Sequence, residues 1–244
     1  MKIIHHRLFP TLVSEFTDFE HHAAMKEVFW KNHKQHAFKD DPFAAAPPEK
    51  FGMILSHADE ELSPLFENVI SCAKGYVHEL GADMDSYYFT IVKSFVSTND
   101  LHTSNTPHRH GDAHISFLYY VNVPSNINQR FCVHDTRHRF EPYEGFINTQ
   151  KVDKFNWSDV AADFWSFAVK EGNTIIIPSN LMHSTSFCDE RDNAVTQIFE
   201  KNINELEDLK QMRIAIAGDI ILHSKGQNTN PIGLQPMNLW RHYG

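Results

Sequence analysis

Between residues 87 and 199 the chain returns repeatedly to one pattern. A short run of β-branched and aromatic residues is followed by turn residues, and then by another such run. The runs are Tyr87 to Val92, Ile115 to Val123 (closed by Pro124), Arg130 to Val133, Phe164 to Val169, Thr174 to Ile177 and Ala194 to Phe199. Short strands separated by turn signals, such as Glu171-Gly172-Asn173, predict a β-sandwich or a closed barrel. The N-terminal third reads differently. Residues 1–13 read as a short extended lead. Residues 14–36 carry Phe16, Phe19, Ala23, Met25, Val28 and Phe29 at the three- and four-residue spacings of an amphipathic helix. Asp40 to Pro48 is a proline-punctuated loop. Ser63-Pro64 then reads as an N-cap followed by proline in the first turn, Leu65 to Leu80 as a helix, and Gly81 as its stop. Helices first and strands after predict an α+β protein with helices packed on one face of a β core.

Leu206, Leu209, Met212 and Ile216 predict a helix from Asn202 to Lys225, weakened by Gly218, with an irregular tail beyond. The expected layout is a single domain over 1–244. Residues 1–84 form a mainly helical support layer, 85–201 the β core, and 202–244 a C-terminal helix and tail.

Composition removes several functions. The charge is −9, and no basic run offers the face that a nucleic-acid binder needs. No apolar run reaches the length of a membrane-spanning helix, and the N-terminus has no apolar leader segment. The three cysteines (Cys72, Cys132, Cys188) have no CxxC spacing, which argues against a disulfide framework. The expectation is a cytoplasmic protein with no nucleic-acid or membrane partner. Oligomeric state is not readable from the sequence.

The chemistry lies in the histidines. There are 17 of them against 10 glycines, so only spacing can single out the few that act. In Pro107-His108-Arg109-His110, the two histidines are two residues apart. On a strand they share a face and can grip one metal ion. Far downstream, Gly172, Pro178 and His183 read as a strand, a corner and a third histidine. Two ligands at period two plus a distant third is a way to hold a mononuclear metal, and imidazole suits iron, zinc, copper and nickel. A second register, His110-Gly111-Asp112, would supply a carboxylate ligand through Asp112, but it leaves only Ala113 to make the reversal into the next strand. His108, His110 and His183 are the favoured set, with Asp112 as the alternative ligand.

With these residues the chain resembles the iron(II)/2-oxoglutarate-dependent oxygenase superfamily, in the branch of small oxygenases with an HxH…H motif. The matching residues are Leu8-Phe9-Pro10-Thr11, Lys93-Ser94-Phe95, His108-x-His110, Ser116 to Val121, Gly172 to Ser179 and His183. The resemblance implies a double-stranded β-helix of the jelly-roll or cupin-like kind, Fe(II), 2-oxoglutarate as co-substrate, molecular oxygen, and hydroxylation of a small-molecule or peptide substrate. It also implies a basic residue that holds the distal carboxylate of 2-oxoglutarate. Arg191, eight residues beyond His183, is the matching candidate and Arg130 its substitute. Tyr120 and Ser116 share a strand face and are expected to hydrogen-bond the co-substrate. The pattern departs from the superfamily's His-x-Asp by placing His110 where the carboxylate stands. Three neutral imidazoles would leave the site one unit more positive.

A second class of reading is a cupin-type metalloprotein that does not use 2-oxoglutarate, whether a dioxygenase, an isomerase or a small-molecule binder. It needs a fourth ligand, His114. A third reading is a structural protein with a decayed site. His134, Arg137, His138 and Arg139 read as a solvated cationic loop. There is no Gly-rich phosphate loop, nucleophile elbow or dinucleotide fingerprint.

Overall fold

The computed structural model describes residues 11–31, 60–99, 105–111, 113–126, 129–134, 164–187, 207 and 210–225. The elements run in the order β1 (Ser14–Phe16), α1 (His22–Lys31), α2 (Ser63–Glu79), β2 (Tyr87–Asn99), β3 (Ile115–Asn122), β4 (Gln129–His134), β5 (Phe164–Ala168), β6 (Thr174–Pro178), β7 (His183–Phe187) and β8 (Arg213–Ser224). Single 3-10 turns precede α2 and β2. The strands make two antiparallel sheets, one ordered β1-β6-β3-β8-β2 and the other β5-β4-β7.

The two cores follow from the alternation of side chains along the strands. Phe117, Tyr119 and Ile176 point to the helical side of the larger sheet, where Phe29, Leu65, Val69, Ala73 and Val77 meet them. Phe66 meets Phe117 edge-on, with ring centroids 6.3 Å apart. The opposite faces of these strands and of β8 supply Tyr120, Ile175, Ile177 and Ala215, which pack with Phe131 and partly buried Val133 and Phe167 of the smaller sheet. The functional groups described below project from these inward faces.

The N-terminal helix is shorter than expected. Ser14–Phe16 of the predicted 14–36 helix is a strand paired with β6, and α1 starts only at His22. Asp18, at φ 64°, turns the chain between them. The second helix keeps its limits, but the cap moves by one residue. Leu62 is the N-cap, with no side-chain capping bond, and Ser63 lies inside the helix. Gly81 ends the helix at φ 81°, a conformation that favours glycine. The first strand of the β core continues past Val92 to Asn99. The expected strand Ala194 to Phe199 lies outside the described residues.

The main correction concerns the C-terminal helix predicted over 202–225. Residues Arg213–Ser224 are β8, which lies between β3 and β2 in the larger sheet. The β core therefore extends beyond residue 201, and the division of 202–244 into helix and tail does not hold. The physical reason is burial on both faces. Ile214, Ile216 and Ile220 fill the helical side, and Arg213, Ala215, Ala217 and Asp219 fill the other. A strand buried on both sides shows no polar alternation and mimics a buried helix segment.

Gly218 is the point of closest approach. A Cβ there would run into the Lys93 carbonyl oxygen and come within 2.6 Å of the Phe117 ring. Backbone and a packed aromatic cannot yield cheaply. Gly218→Ala is therefore expected to destabilise the protein by about 1–3 kcal/mol or more. Urea unfolding should show a lower midpoint with an unchanged slope; an unchanged midpoint would refute the close packing.

Candidate metal centre

Backbone pairing sets the three histidines. His108 forms an isolated antiparallel bridge with His183 at the start of β7. The His108 N–H donates to the His183 carbonyl at 2.9 Å, and the His183 N–H returns to His108 at 2.8 Å. Two residues on, the His110 N–H donates to the Ser179 carbonyl at 2.8 Å. The rings then gather with centroid separations of 4.4 Å (His108–His183), 5.2 Å (His110–His183) and 5.5 Å (His108–His110). One ring nitrogen from each lies within 4.8 Å of the others.

The hydrogen bonds decide which nitrogen that is. His108 Nδ1 lies 2.8 Å from the Thr106 carbonyl, and His183 Nδ1 lies 2.9 Å from the Leu181 carbonyl. His110 Nδ1 lies 2.6 Å from Asp219 Oδ1. A carbonyl or a carboxylate can only accept, so each Nδ1 carries the hydrogen and each Nε2 carries the lone pair. Partners of this kind orient histidines around metal ions. Burial, the largest influence, lowers the pKa of His108, and it lowers that of His183 to about 4. Both rings are therefore neutral near pH 7, as ligands must be.

Asp219 was not anticipated from sequence. It is buried on β8, opposite Ser116 of β3 and Lys93 of β2. Its Oδ1 accepts from His110 and, at 2.6 Å, from the Ser116 hydroxyl, while its Oδ2 lies 2.6 Å from Lys93 Nζ. Burial opposes its charge. The His110, Lys93 and Ser116 contacts outweigh burial and hold the pKa near 2. Ser116, expected to touch the co-substrate, has its hydroxyl on this carboxylate.

Tyr120 and Arg213 form the other polar feature of the interior. Arg213, the first residue of β8, is 1% exposed. Its Nη2 donates to Asn99 Oδ1 at 2.5 Å, and its guanidinium carbon lies 5.7 Å from the Tyr120 ring centroid. No acceptor among the described residues meets Arg213 Nε or Nη1, and the buried Tyr120 hydroxyl likewise lacks a partner. Burial pulls the Arg213 pKa down and pushes that of Tyr120 up to about 12. Both remain donors near neutral pH.

The other candidates fall elsewhere. Arg191 and Asp112 lie outside the described residues. Arg130 is turned to β5, donating to the Ser166 hydroxyl and carbonyl at 2.9 Å each. His114 is not part of the three-histidine group; its Nδ1 accepts the Leu222 N–H at 3.1 Å. The four-histidine cupin reading loses its fourth ligand. A signal for Arg213 and Asp219 existed in the sequence, since they are the only charged residues in the otherwise apolar run from 213 to 222.

Residues 94–200 match the model of a family described as "Putative 2OG-Fe(II) oxygenase". That span contains the histidine pair, the third histidine and the four strands β3 to β6 between them. Over this span the chain is similar to a family of iron(II)/2-oxoglutarate-dependent oxygenases, oxidoreductases whose reaction requires Fe(II) and 2-oxoglutarate. The solved α-ketoglutarate-dependent non-haem epimerase SnoN of nogalamycin biosynthesis is similar in fold, at 9% identity and a TM-score of 0.52, over 93% of this chain and 88% of that one. A prolyl hydroxylase from Trichoplax adhaerens, solved with a hypoxia-inducible-factor peptide, aligns over 86% of this chain and 83% of that one, at 10% identity and a TM-score of 0.49. A Pseudomonas putida prolyl-4-hydroxylase aligns over 88% and 89%, at 9% identity and a TM-score of 0.43. No curated protein matches the chain.

Proposed function

We propose that the chain is a 2-oxoglutarate-dependent hydroxylase with iron held by His108, His110 and His183. The two sheets are then the major and minor sheets of a double-stranded β-helix, which agrees with their strand orders. The observation that carries the co-substrate assignment is Arg213. A buried guanidinium with two nitrogens lacking acceptors, beside an equally unmatched tyrosine hydroxyl, is costly unless an anion completes it. A carboxylate fits both donors, and arginine's planar fork suits it. Arg213 therefore takes the role that the sequence pattern offered to Arg191, with Tyr120 beside it.

When bound, Fe(II) would let molecular oxygen act as the oxidant, one oxygen atom going to 2-oxoglutarate as it loses CO2 to become succinate and the other to the hydroxylated substrate. The chain's own residues divide the remaining work. The Nε2 lone pairs of His108, His110 and His183 would hold the metal. Arg213 and Tyr120 hold the far end of the co-substrate. Ile175, Ile177 and Phe131 pack with Tyr120 in the inner core and would keep water from it. The reading extends to a small-molecule or peptide substrate and a cytoplasmic setting.

The test is anaerobic titration of the metal-free protein with Fe(II) and 2-oxoglutarate. A visible charge-transfer band saturating at one equivalent of each is the expected result. Iron binding without the band would return the chain to a cupin-type role, and absence of iron binding would end the metal assignment.

A further inference from the structure

We infer that Asp219 is a positioning residue that supplies the negative charge missing from a three-imidazole site, through His110, and that Lys93 tempers that charge. The inference rests on the metal-site reading above. It starts from a juxtaposition that spans three neighbouring strands. Lys93 on β2 and Ser116 on β3 are the register partners of Asp219 on β8. All three side chains reach inward to one point beside His110.

The contacts form a directed chain. Lys93 Nζ meets Oδ2, and His110 Nδ1 meets Oδ1, each at 2.6 Å. Asp219 is nearly fully buried, whereas Lys93 is 42% exposed along its side chain. The carboxylate is thus fixed by the sheet, while its cationic neighbour stands at the mouth and is partly screened by solvent. An acceptor of full negative charge on Nδ1–H raises the donor strength of Nε2 on the same ring. Asp219 gives His110 part of the anionic character that a directly bound carboxylate would have. Lys93, on the opposite oxygen, withdraws some of it. Neither residue need touch the metal.

Two arrangements of the same contacts make opposite predictions. If the Lys93–Asp219 pair were only a structural salt bridge, losing either member would loosen the site in the same direction. If Asp219 acts on the metal through His110, the two losses act in opposite senses. Removing the carboxylate weakens the site, and removing the lysine strengthens it.

The experiment measures Co(II) dissociation constants and Co(II) d–d spectra on metal-free full-length protein, with no turnover required. Asp219→Asn, which keeps an acceptor but loses the charge, should weaken Co(II) binding about 10- to 100-fold. Lys93→Met, similar in length but neutral, should tighten it on the order of threefold to tenfold, and the two variants should shift the d–d bands in opposite directions. Weaker or unchanged binding in Lys93→Met overturns the inference, even if Asp219→Asn fails to fold. His183→Ala, measured alongside, separates the two levels. If it retains Co(II), the metal site itself is misassigned; if it loses Co(II) while Asp219→Asn does not, only the role of Asp219 fails.

Discussion

Arg213→Met should abolish 2-oxoglutarate binding and at the same time make the ligand-free protein more stable. The first effect follows from the loss of the only buried cation facing the interior among the described residues. Truncating one partner of a buried, hydrogen-bonded charge pair costs ~2–5 kcal/mol, roughly a 30- to 4000-fold loss of affinity. The second effect is of opposite sign. Without ligand, Arg213 is 1% exposed, with one hydrogen bond to Asn99 and two nitrogens lacking acceptors. Replacing such a charge by a methionine removes a desolvation cost. The expected gain is about 1–3 kcal/mol, seen as a melting temperature higher by several degrees for a chain of this size. Fe(II) affinity should stay within about twofold, because Arg213 is not a neighbour of the histidines. Wild-type 2-oxoglutarate affinity in this variant would refute the anchor assignment. A lower melting temperature would mean that Asn99 and the Tyr120 face already satisfy the guanidinium.

His183→Phe should remove the metal and flatten the acid limb of the stability curve together. The ring of His183 lies 5.7 Å from Phe131 and is 4% exposed, so a phenyl group is accommodated. Loss of one of three ligands should weaken metal binding by at least about 100-fold. The pH effect has a definite sign. The unfolded chain protonates this histidine near 6.5, while the folded chain resists until about 4. Between those values the unfolded state binds more protons, so metal-free wild-type protein loses stability as pH falls. The contribution reaches about 3 kcal/mol by pH 4 and vanishes above 6.5. His108, lowered in the same direction, adds to it. A further decline as pH falls from 3.8 toward 2 belongs to Asp219, whose carboxylate must protonate there. The variant should keep this lower limb and show a shallower upper one. An unchanged upper limb would show that His183 is not buried as described.

The histidines were legible because period two on a strand is a local property. His108 and His110 share a face by geometry alone, and His183 needed only a strand ending in a corner. The helix-capping glycine at 81 and five of the strands were legible for similar reasons, since each is signalled within a few residues. What failed was β8. Its alternation is one of size rather than polarity, with Ile214, Ile216 and Ile220 on one face and Ala215 and Ala217 on the other. A pattern reader tuned to hydrophobicity sees a uniform run there. Missing the strand meant missing Arg213 and Asp219, whose positions make sense only once the run is extended and its inward face identified. Ser116 shows the complementary limit. Its face was correctly read, but its partner lies 103 residues away on β8, and no local signal names that partner.

The continuity of β8 from Arg213 to Ser224 has a consequence for selectivity. In the proposed function Asp219 braces the metal end and Arg213 grips the far end of the co-substrate, and both belong to one strand. Their separation is set by covalent rise, not by a loop that can drift. Inward positions on a strand recur only every ~6.6–7 Å, several times the ~1.3 Å by which one methylene changes a diacid. The strand therefore works as a gauge with coarse graduations. A dicarboxylate one carbon shorter or longer cannot be met by sliding the register. The chain would have to exchange Arg213 for a side chain of different reach, so co-substrate length is inherited from the ladder as a whole.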